Sequence, residues 1–434
     1  MIRSSTATAS NAPTEAGHVR CCCDSGRTLF WESIQSGLIF YYLTGLVAIL
    51  GIAFGLSMVE PPLGSYPPRR HPVPNTRDAL WETLTRWDGQ WHLKIALEGY
   101  TWTPQRESSV AFFPGYPLLV SAVHHLTGMP ISLAGLFVAH VFLLASFALL
   151  FAYVRHRVPE ASPRRAQFAL LAFGLFPTTF FLRMAYGESL FIFLATLVLY
   201  GIWRGWAPTT IALIVGATTA TRFAGVALLA PLGFYTWERS HSLSHAARRL
   251  ACLVPLACWG LLGFMLLQQL EFGHPFAFVQ TQTHWHDRPA ADLSERVLAL
   301  STLEPIWSVY VPFHPGSWVG RDNTPCSLFS LRFANPVFFV LGVGLIGLGA
   351  QRHWLNRYEL LLAIGLLGIA YAARSYETCM QSQGRFVAAI VPVYLVLANV
   401  LNRLSTLPRI AIVSLFLIYL AVYSAMLAAG YTLI

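Results

Sequence analysis

Residues 85–100 read TRWDGQWHLKIALEGY. The chain's first long apolar run, Gly37 to Val59, lies upstream and AFFPGYPLL (Ala111–Leu119) lies downstream, so the stretch belongs beside a bilayer. From Trp81 to Glu98 the apolar residues Trp81, Leu84, Trp87, Trp91 and Ile95 recur at steps of three and four. At about 100° per residue they form a stripe roughly 120° wide, which predicts one helix lying on the membrane surface with tryptophans at headgroup depth. Asp88 falls inside the stripe and His92 at its margin, whereas Arg86 and Gln90 lie opposite. A carboxylate facing lipid or protein interior is costly unless it is paired or used. Asp88 is therefore a candidate catalytic or binding residue, with a structural ion pair as the alternative.

The rest of the chain agrees with a membrane setting. Of 434 residues, 55% are hydrophobic and 11% charged, against about 25% charged in soluble domains, so the composition is that of an all-α polytopic membrane protein and excludes a soluble enzyme. Residues 1–35 read as a disordered cytoplasmic tail, and 36–434 as a single membrane domain. The run from Gly37 is near the ~20 residues needed to span and longer than a signal-peptide core of about 7–15, which makes it an uncleaved anchor. Apolar runs lie at 36–58, 132–154, 166–182, 188–203, 207–221, 223–237, 250–270, 332–350, 358–373, 386–401 and 410–431, about eleven spans. Tyr116–Gly128, with only 13 residues, is assigned to the interface.

Placing the N-terminus inside puts 15 arginines against 6 acids on the cytoplasmic side, Arg155, Arg157, Arg164 and Arg165 among them. The other 14 cations and 14 acids fall outside, so the whole net charge of +9 sits where the positive-inside rule requires and calls for no nucleic-acid partner. The same layout sends the unusual segments to the outer face. Two outer loops are long, 60–131 and 271–331, and the first should carry amphipathic helices.

Arg183 and Glu188 stand at the end of one apolar run and the start of the next, Arg222 interrupts another, and Arg385 directly precedes FVAAIVPVYL. Each arginine alone reads as a snorkelling anchor; gathered on the face that carries Asp88, they suggest a pocket for an anion such as a lipid phosphate. HWHD (His284, His286, Asp287) lacks a third ligand at a suggestive spacing and reads as polar loop, so no metal site is expected. Seven cysteines show no zinc spacing. Cys21, Cys22 and Cys23 cluster in the tail, Cys252 and Cys258 lie in an apolar run, and Cys326 and Cys379 would pair only if both face an oxidising compartment.

RWDGQWHLKIALEGY (Arg86–Tyr100) followed by FFPGYPLL (Phe112–Leu119) resembles the hallmark of the PIG-V family, the second mannosyltransferases of GPI-anchor assembly and their bacterial relatives. FPTTFFLRMAYGESLF (Phe176–Phe191), ATTATRFAGVALL (Ala217–Leu229), FGHPFAFVQTQTHW (Phe272–Trp285) and GRFVAAIVP (Gly384–Pro392) match further, in order. The resemblance implies a GT-C-like bundle and an inverting glycosyltransferase, with a polyprenyl- or dolichyl-phosphate sugar as donor, a glycan or glycolipid as acceptor, and no cofactor. It implies Asp88 as general base and Arg183, Arg222 and Arg385 as holders of the donor phosphate. Arg86, Trp87, His92, Tyr186, Glu188 and Gln280 become candidates for binding or orienting substrate. The class often has two adjacent acids in its first loop, but Gly89 follows Asp88 here, so a second carboxylate must come from Glu82, Glu98 or Glu188. A transporter or flippase of lipid-linked glycans is the rival reading, since buried charges among many spans also mark substrate paths.

Overall fold

A computed structural model describes residues 16–60, 76–157, 163–289, 291–312, 318, 330–431 and 433. Every regular element among them is helical. In chain order these are α1 (Ala16–Met58), α2 (Thr76–Leu84), α3 (Asp88–Glu98), α4 (Gly115–Thr127), α5 (Ile131–Arg157), α6 (Pro163–Leu175), α7 (Glu188–Trp203), α8 (Pro208–Thr221), α9 (Leu229–Glu238), α10 (Leu243–Ala257), α11 (Trp259–Phe272), α12 (Ala277–Gln280), α13 (Leu293–Ser301), α14 (Glu304–Ser308), α15 (Leu331–Gln351), α16 (Arg357–Ala370), α17 (Gln383–Ala388), α18 (Val391–Arg403) and α19 (Thr406–Ala429). Helix α1 reaches back to Ala16, into the segment expected to be a disordered tail.

All eleven apolar runs are helical, but the expected count of spans is not reproduced. Five described helices are long and apolar enough to cross a membrane, covering Arg27–Met58, Ile131–Arg157, Leu331–Gln351, Arg357–Ser375 and Thr406–Ala429; α10 and α11 make a sixth if their 53° bend lies within one span. Of the remaining runs, 188–203 and 207–221 form helices of only 16 and 14 residues, and the others are interrupted where the backbone is diverted. In α8 the hydroxyls of Thr218 and Thr221 bond back to the carbonyls of Ile214 and Thr218, and the chain leaves the helix at Arg222 in an extended conformation before a 3₁₀ stretch, Phe223–Leu228. The run 166–182 likewise divides into α6 and a 3₁₀ turn, Thr179–Arg183. Broken helices of this kind are tolerated at membrane depth only where protein covers the freed backbone, and Phe180, Phe181 and Leu182 are indeed buried.

Helix α1 packs on α5 and α19, α5 on α7, and α6 on α18. A Cβ added at Gly55 would stand 2.1 Å from the carbonyl oxygen of Ala425 in α19. The small residues therefore let the two backbones touch, as membrane helix pairs require. Helix α4 is short, as the 13-residue segment predicts, and buries Tyr116, Pro117 and Val120 while Leu126 remains exposed.

The single surface helix expected over Trp81–Glu98 is two helices. Residues 85–87 interrupt it, and Trp87 adopts a left-handed φ of 54°. Tertiary bonds hold the interruption: Ala185 N–H donates to the Leu84 carbonyl (2.9 Å), Tyr186 Oη to the Arg86 carbonyl (3.2 Å), and Arg86 Nη1 to the Leu427 carbonyl in α19 (3.1 Å). The tryptophans are not simply dipped in headgroups. Trp91 stacks on Phe112 with ring centres 5.9 Å apart and meets Trp285 edge-on at 6.4 Å, while Trp87 packs against the main core. Cys326 lies outside the described residues, as do the side chains of Cys21, Cys22 and Cys23; Cys379 Sγ accepts a bond from Arg288 Nε at 3.3 Å.

Candidate functional site

The break before α3 makes Asp88 the first residue of a helix, where the unpaired N–H groups and the helix dipole favour negative charge. Glu188 likewise opens α7. Arg222 caps the end of α8, and Arg385 sits in the short α17. The four converge into a chain of alternating charge. Arg385 Nη1 donates to Asp88 Oδ2 at 2.6 Å, Arg385 Nε stands 3.0 Å from Glu188 Oε1, and Arg222 Nη1 donates to the same Glu188 oxygen. The Arg385 Nε–H is not aimed at Glu188, so that second contact is an ion pair without a hydrogen bond. The Arg385 guanidinium also lies over the rings of Phe181 (5.6 Å), Tyr186 (5.4 Å) and Phe386 (5.9 Å).

Glu188 is nearly sealed, its side chain 3% exposed, whereas the Asp88 side chain keeps 22%. Asp88 is thus the acid a substrate can reach. Burial alone would raise its pKa, but the charge and hydrogen bond of Arg385, helped by His92 and Arg222, outweigh burial and hold the carboxyl below its usual value. His92, one turn along α3, is buried against Phe112, Tyr116 and Tyr186, and its Nδ1 has no described hydrogen-bond partner. Burial first of all, against the opposing pull of Asp88 and Glu188, lowers its pKa to about 4, so the ring is neutral at physiological pH. Of the three acids that could accompany Asp88, the geometry selects Glu188; Glu82 is paired with Arg86 on the surface and Glu98 with Lys94.

Arg183 is not part of this cluster. It is buried beneath α2, donating to Thr44 Oγ1 at 2.7 Å and lying over Tyr41, at the wall of a mainly apolar cavity of about 480 Å³ lined also by Trp81, His140 and Leu427. Gln280 is exposed, and its carbonyl accepts from Thr283 Oγ1. Its neighbour Gln282 points inward instead and accepts from Arg374 Nη1.

Arg374 is the residue the sequence did not single out. It sits in a π turn, Tyr371–Ser375, that closes α16, and no motif marks it. The segment after it is strained: Cys379, Met380 and Ser382 all have φ between 48° and 63°. Non-glycine residues persist there only where the surroundings over-determine them. Those surroundings include the second outer loop, whose Asp287 and Arg288 N–H groups both donate to the Glu377 carbonyl. Gly384 N–H donates to Asn335 Oδ1 (2.8 Å) and the Gly384 carbonyl accepts from Thr178 Oγ1 (2.7 Å), which fixes Arg385 against Asp88. Among the described residues no three His, Cys, Asp or Glu side chains converge as ligands for a cation.

A helical protein with spanning helices and an ionic site assembled from broken-helix ends is an integral membrane protein with a built polar site. The chain belongs to the mannosyltransferase (PIG-V) family, whose model matches residues 29–287, more than half of its length. It is similar to the GPI alpha-1,6-mannosyltransferase 2 of Cricetulus griseus, 30% identical over 212 residues that cover 47% of this chain and 40% of the relative. The Mus musculus protein of the same description is 28% identical over 252 residues, 55% of this chain and 49% of the relative. The matched region therefore spans less than half the length of these relatives. Among solved structures the chain is similar to the apo form of the Archaeoglobus fulgidus oligosaccharyltransferase at 14% identity, covering 92% of this chain and 56% of that one, with a TM-score of 0.44.

Proposed function

We propose that this protein is an inverting membrane glycosyltransferase that moves mannose from a polyprenyl- or dolichyl-phosphate donor to a hydroxyl of a glycan or glycolipid acceptor on the extracytoplasmic face. The observation that carries the reading is Asp88, an ionised and partly accessible carboxylate at the head of α3 that lies inside the family match and is fixed by Arg385 from outside it. Membership of a mannosyltransferase family and similarity to GPI alpha-1,6-mannosyltransferase 2 support the sugar and, for the acceptor, a GPI-type glycolipid.

In the reaction the acceptor oxygen attacks the anomeric carbon, the bond from that carbon to the lipid phosphate breaks on the opposite face, and Asp88 takes the acceptor proton. One displacement inverts the anomeric configuration. The phosphate leaves as an anion, which the guanidinium groups of Arg222 and Arg385 stabilise as charge builds. Glu188 holds both arginines in place between turnovers. No cofactor enters this scheme. Arg86, Trp87 and Tyr186 keep the break before α3 in shape, and the neutral His92 offers an unused ring nitrogen for a sugar hydroxyl. The test is transfer of labelled mannose from polyprenyl-phosphate mannose in membranes bearing the wild type or Asp88→Asn at equal abundance. Transfer by the wild type alone supports the reading. Equal transfer by both removes Asp88 from catalysis, and no transfer across a panel of lipid-linked sugars leaves transport as the activity.

A further inference from the structure

The charges around Asp88 do not cancel. Arg385 and Arg222 together match Asp88 and Glu188, and Arg296 pairs with Glu377 at 2.7 Å. Arg374 lies within electrostatic reach of Arg385, Asp88, Glu377 and Arg222, yet no described carboxylate stands within 4 Å of it. Its only described side-chain partner is the neutral Gln282, and its Nε–H is buried with nothing to receive it. A guanidinium carries five donors, and the unmatched Nε–H of Arg374 is more costly than that of Arg385, which at least has a carboxylate beside it at 3.0 Å. The residue is also held by an unusual backbone. The π turn at Tyr371–Ser375 rotates Arg374 out of the register of α16, and such turns gather at functional positions.

We propose that Arg374, presented by Gln282, is the resting contact for the phosphate of the donor. The match is one of charge: a lipid linked to a sugar through a single phosphate is a phosphodiester with one negative charge, and the cluster holds four arginines against three carboxylates. The guanidinium fork suits two phosphate oxygens at once. Arg222 and Arg385 are engaged by carboxylates at rest and turn to the phosphate only when its second charge develops on bond cleavage, whereas Arg374 is available from the start. The second outer loop contributes directly, because Gln282 lies three residues before Trp285, which packs edge-on against Trp91 of α3. Binding the donor at Arg374 thereby joins the loop that roofs the site to the helix that carries the base.

This inference rests on the glycosyltransferase reading, and two measurements separate their fates. In purified protein in detergent, binding of a short-chain polyprenyl methyl phosphate, a singly charged phosphodiester without sugar, is measured for the wild type, Arg374→Gln, Arg374→Lys and Asp88→Asn; transfer from the mannosylated lipid is measured in parallel. The expected result is that Arg374→Gln weakens lipid-phosphate binding and raises the donor KM at least tenfold with a smaller effect on kcat. Arg374→Lys should recover part of the loss, and Asp88→Asn, which frees Arg385 of one carboxylate, should bind at least as tightly as the wild type while transferring nothing. Arg374→Gln binding lipid phosphate as well as the wild type overturns the inference while leaving the enzyme reading intact. A wild type that neither binds nor transfers overturns both. Melting curves for all four proteins identify a misfolded variant, and a folded Arg374→Lys that binds no better than Arg374→Gln also counts against a charge contact.

Discussion

Arg385 bridges two carboxylates while Asp88 has only Arg385, so the two ends of their 2.6 Å pair should respond unequally to removal. In Arg385→Gln, Asp88 loses its one described ion-pair partner in a position where its side chain is 22% exposed; Glu188 keeps Arg222. Breaking a buried pair from one side costs about 3–5 kcal/mol, and the residual exposure of Asp88 places the expectation near the lower figure, about 3 kcal/mol. In Asp88→Asn, Arg385 retains Glu188 and can still donate to the amide oxygen, so the loss is that of one charge-assisted bond, about 1–2 kcal/mol. The double variant removes the stranded charge and should cost about 2–3 kcal/mol less than the sum of the singles. Thermal unfolding of the four proteins in one detergent, followed by tryptophan fluorescence, gives the ranking: Arg385→Gln lowest, and the double variant no lower than it. Equal losses for the two single variants, or strict additivity in the double, would refute the alternating-charge account of the site.

The remaining predictions concern pH and packing. Asp88, held below its usual 3.8, contributes stability and a competent base at any pH above that value and loses both only as pH falls through its lower folded pKa. Mannose transfer should accordingly show no acid limb from Asp88 between pH 8 and about 4, and Arg385→Gln, which leaves burial opposed only by His92 and Arg222, should move a limb up into that range of the rate profile. His92 works with the opposite charge: its folded pKa of about 4 against 6.5 means that stability is full above pH 6.5 and declines toward pH 4, by up to about 3 kcal/mol. His92→Phe, which keeps the aromatic contacts, should give a shallower fall in melting temperature over that interval. Gly55→Leu should force α1 and α19 apart and cost about 3 kcal/mol or more, whereas a Cβ at Gly347 meets nothing within 4 Å and Gly347→Leu should leave the melting temperature unchanged.

The sequence made the membrane class, the apolar runs and the anomaly of Asp88 legible because each rests on local pattern: length of an apolar stretch, the three-four spacing of tryptophans, a charge out of place. It concealed whatever depends on partners distant in the chain. The interruption at residues 85–87 follows from bonds to Ala185, Tyr186 and Leu427, none of which a helical wheel can contain. Arg183, Arg222 and Arg385 look alike as single arginines near helix ends, yet only two reach Asp88, since the 3₁₀ turn at Thr179–Arg183 directs Arg183 toward Thr44 instead. Gln280 ends α12 and Gln282 lies in the 3₁₀ stretch Thr281–Trp285 that follows, so the two face different ways though only two positions apart. Arg374 gave no signal at all: in YAARSYE it reads as an interfacial arginine, and the π turn that places it beside the site is set by tertiary contacts.

The span between Asp88 and Arg385 also sets a schedule for synthesis. The two residues are 297 positions apart, while Glu188 and Arg222 are separated by 34. At about 5–20 residues per second, Glu188 meets its first arginine within roughly 2–7 s, but Asp88 waits on the order of 15–60 s for the segment that neutralises it. Arg86 waits longer still, for the Leu427 carbonyl in the last helix. A nascent chain therefore carries an unfinished, water-seeking α2–α3 segment until α17 and α19 have been inserted. That interval is when quality-control factors can tell an incomplete copy from a complete one by a single exposed carboxylate.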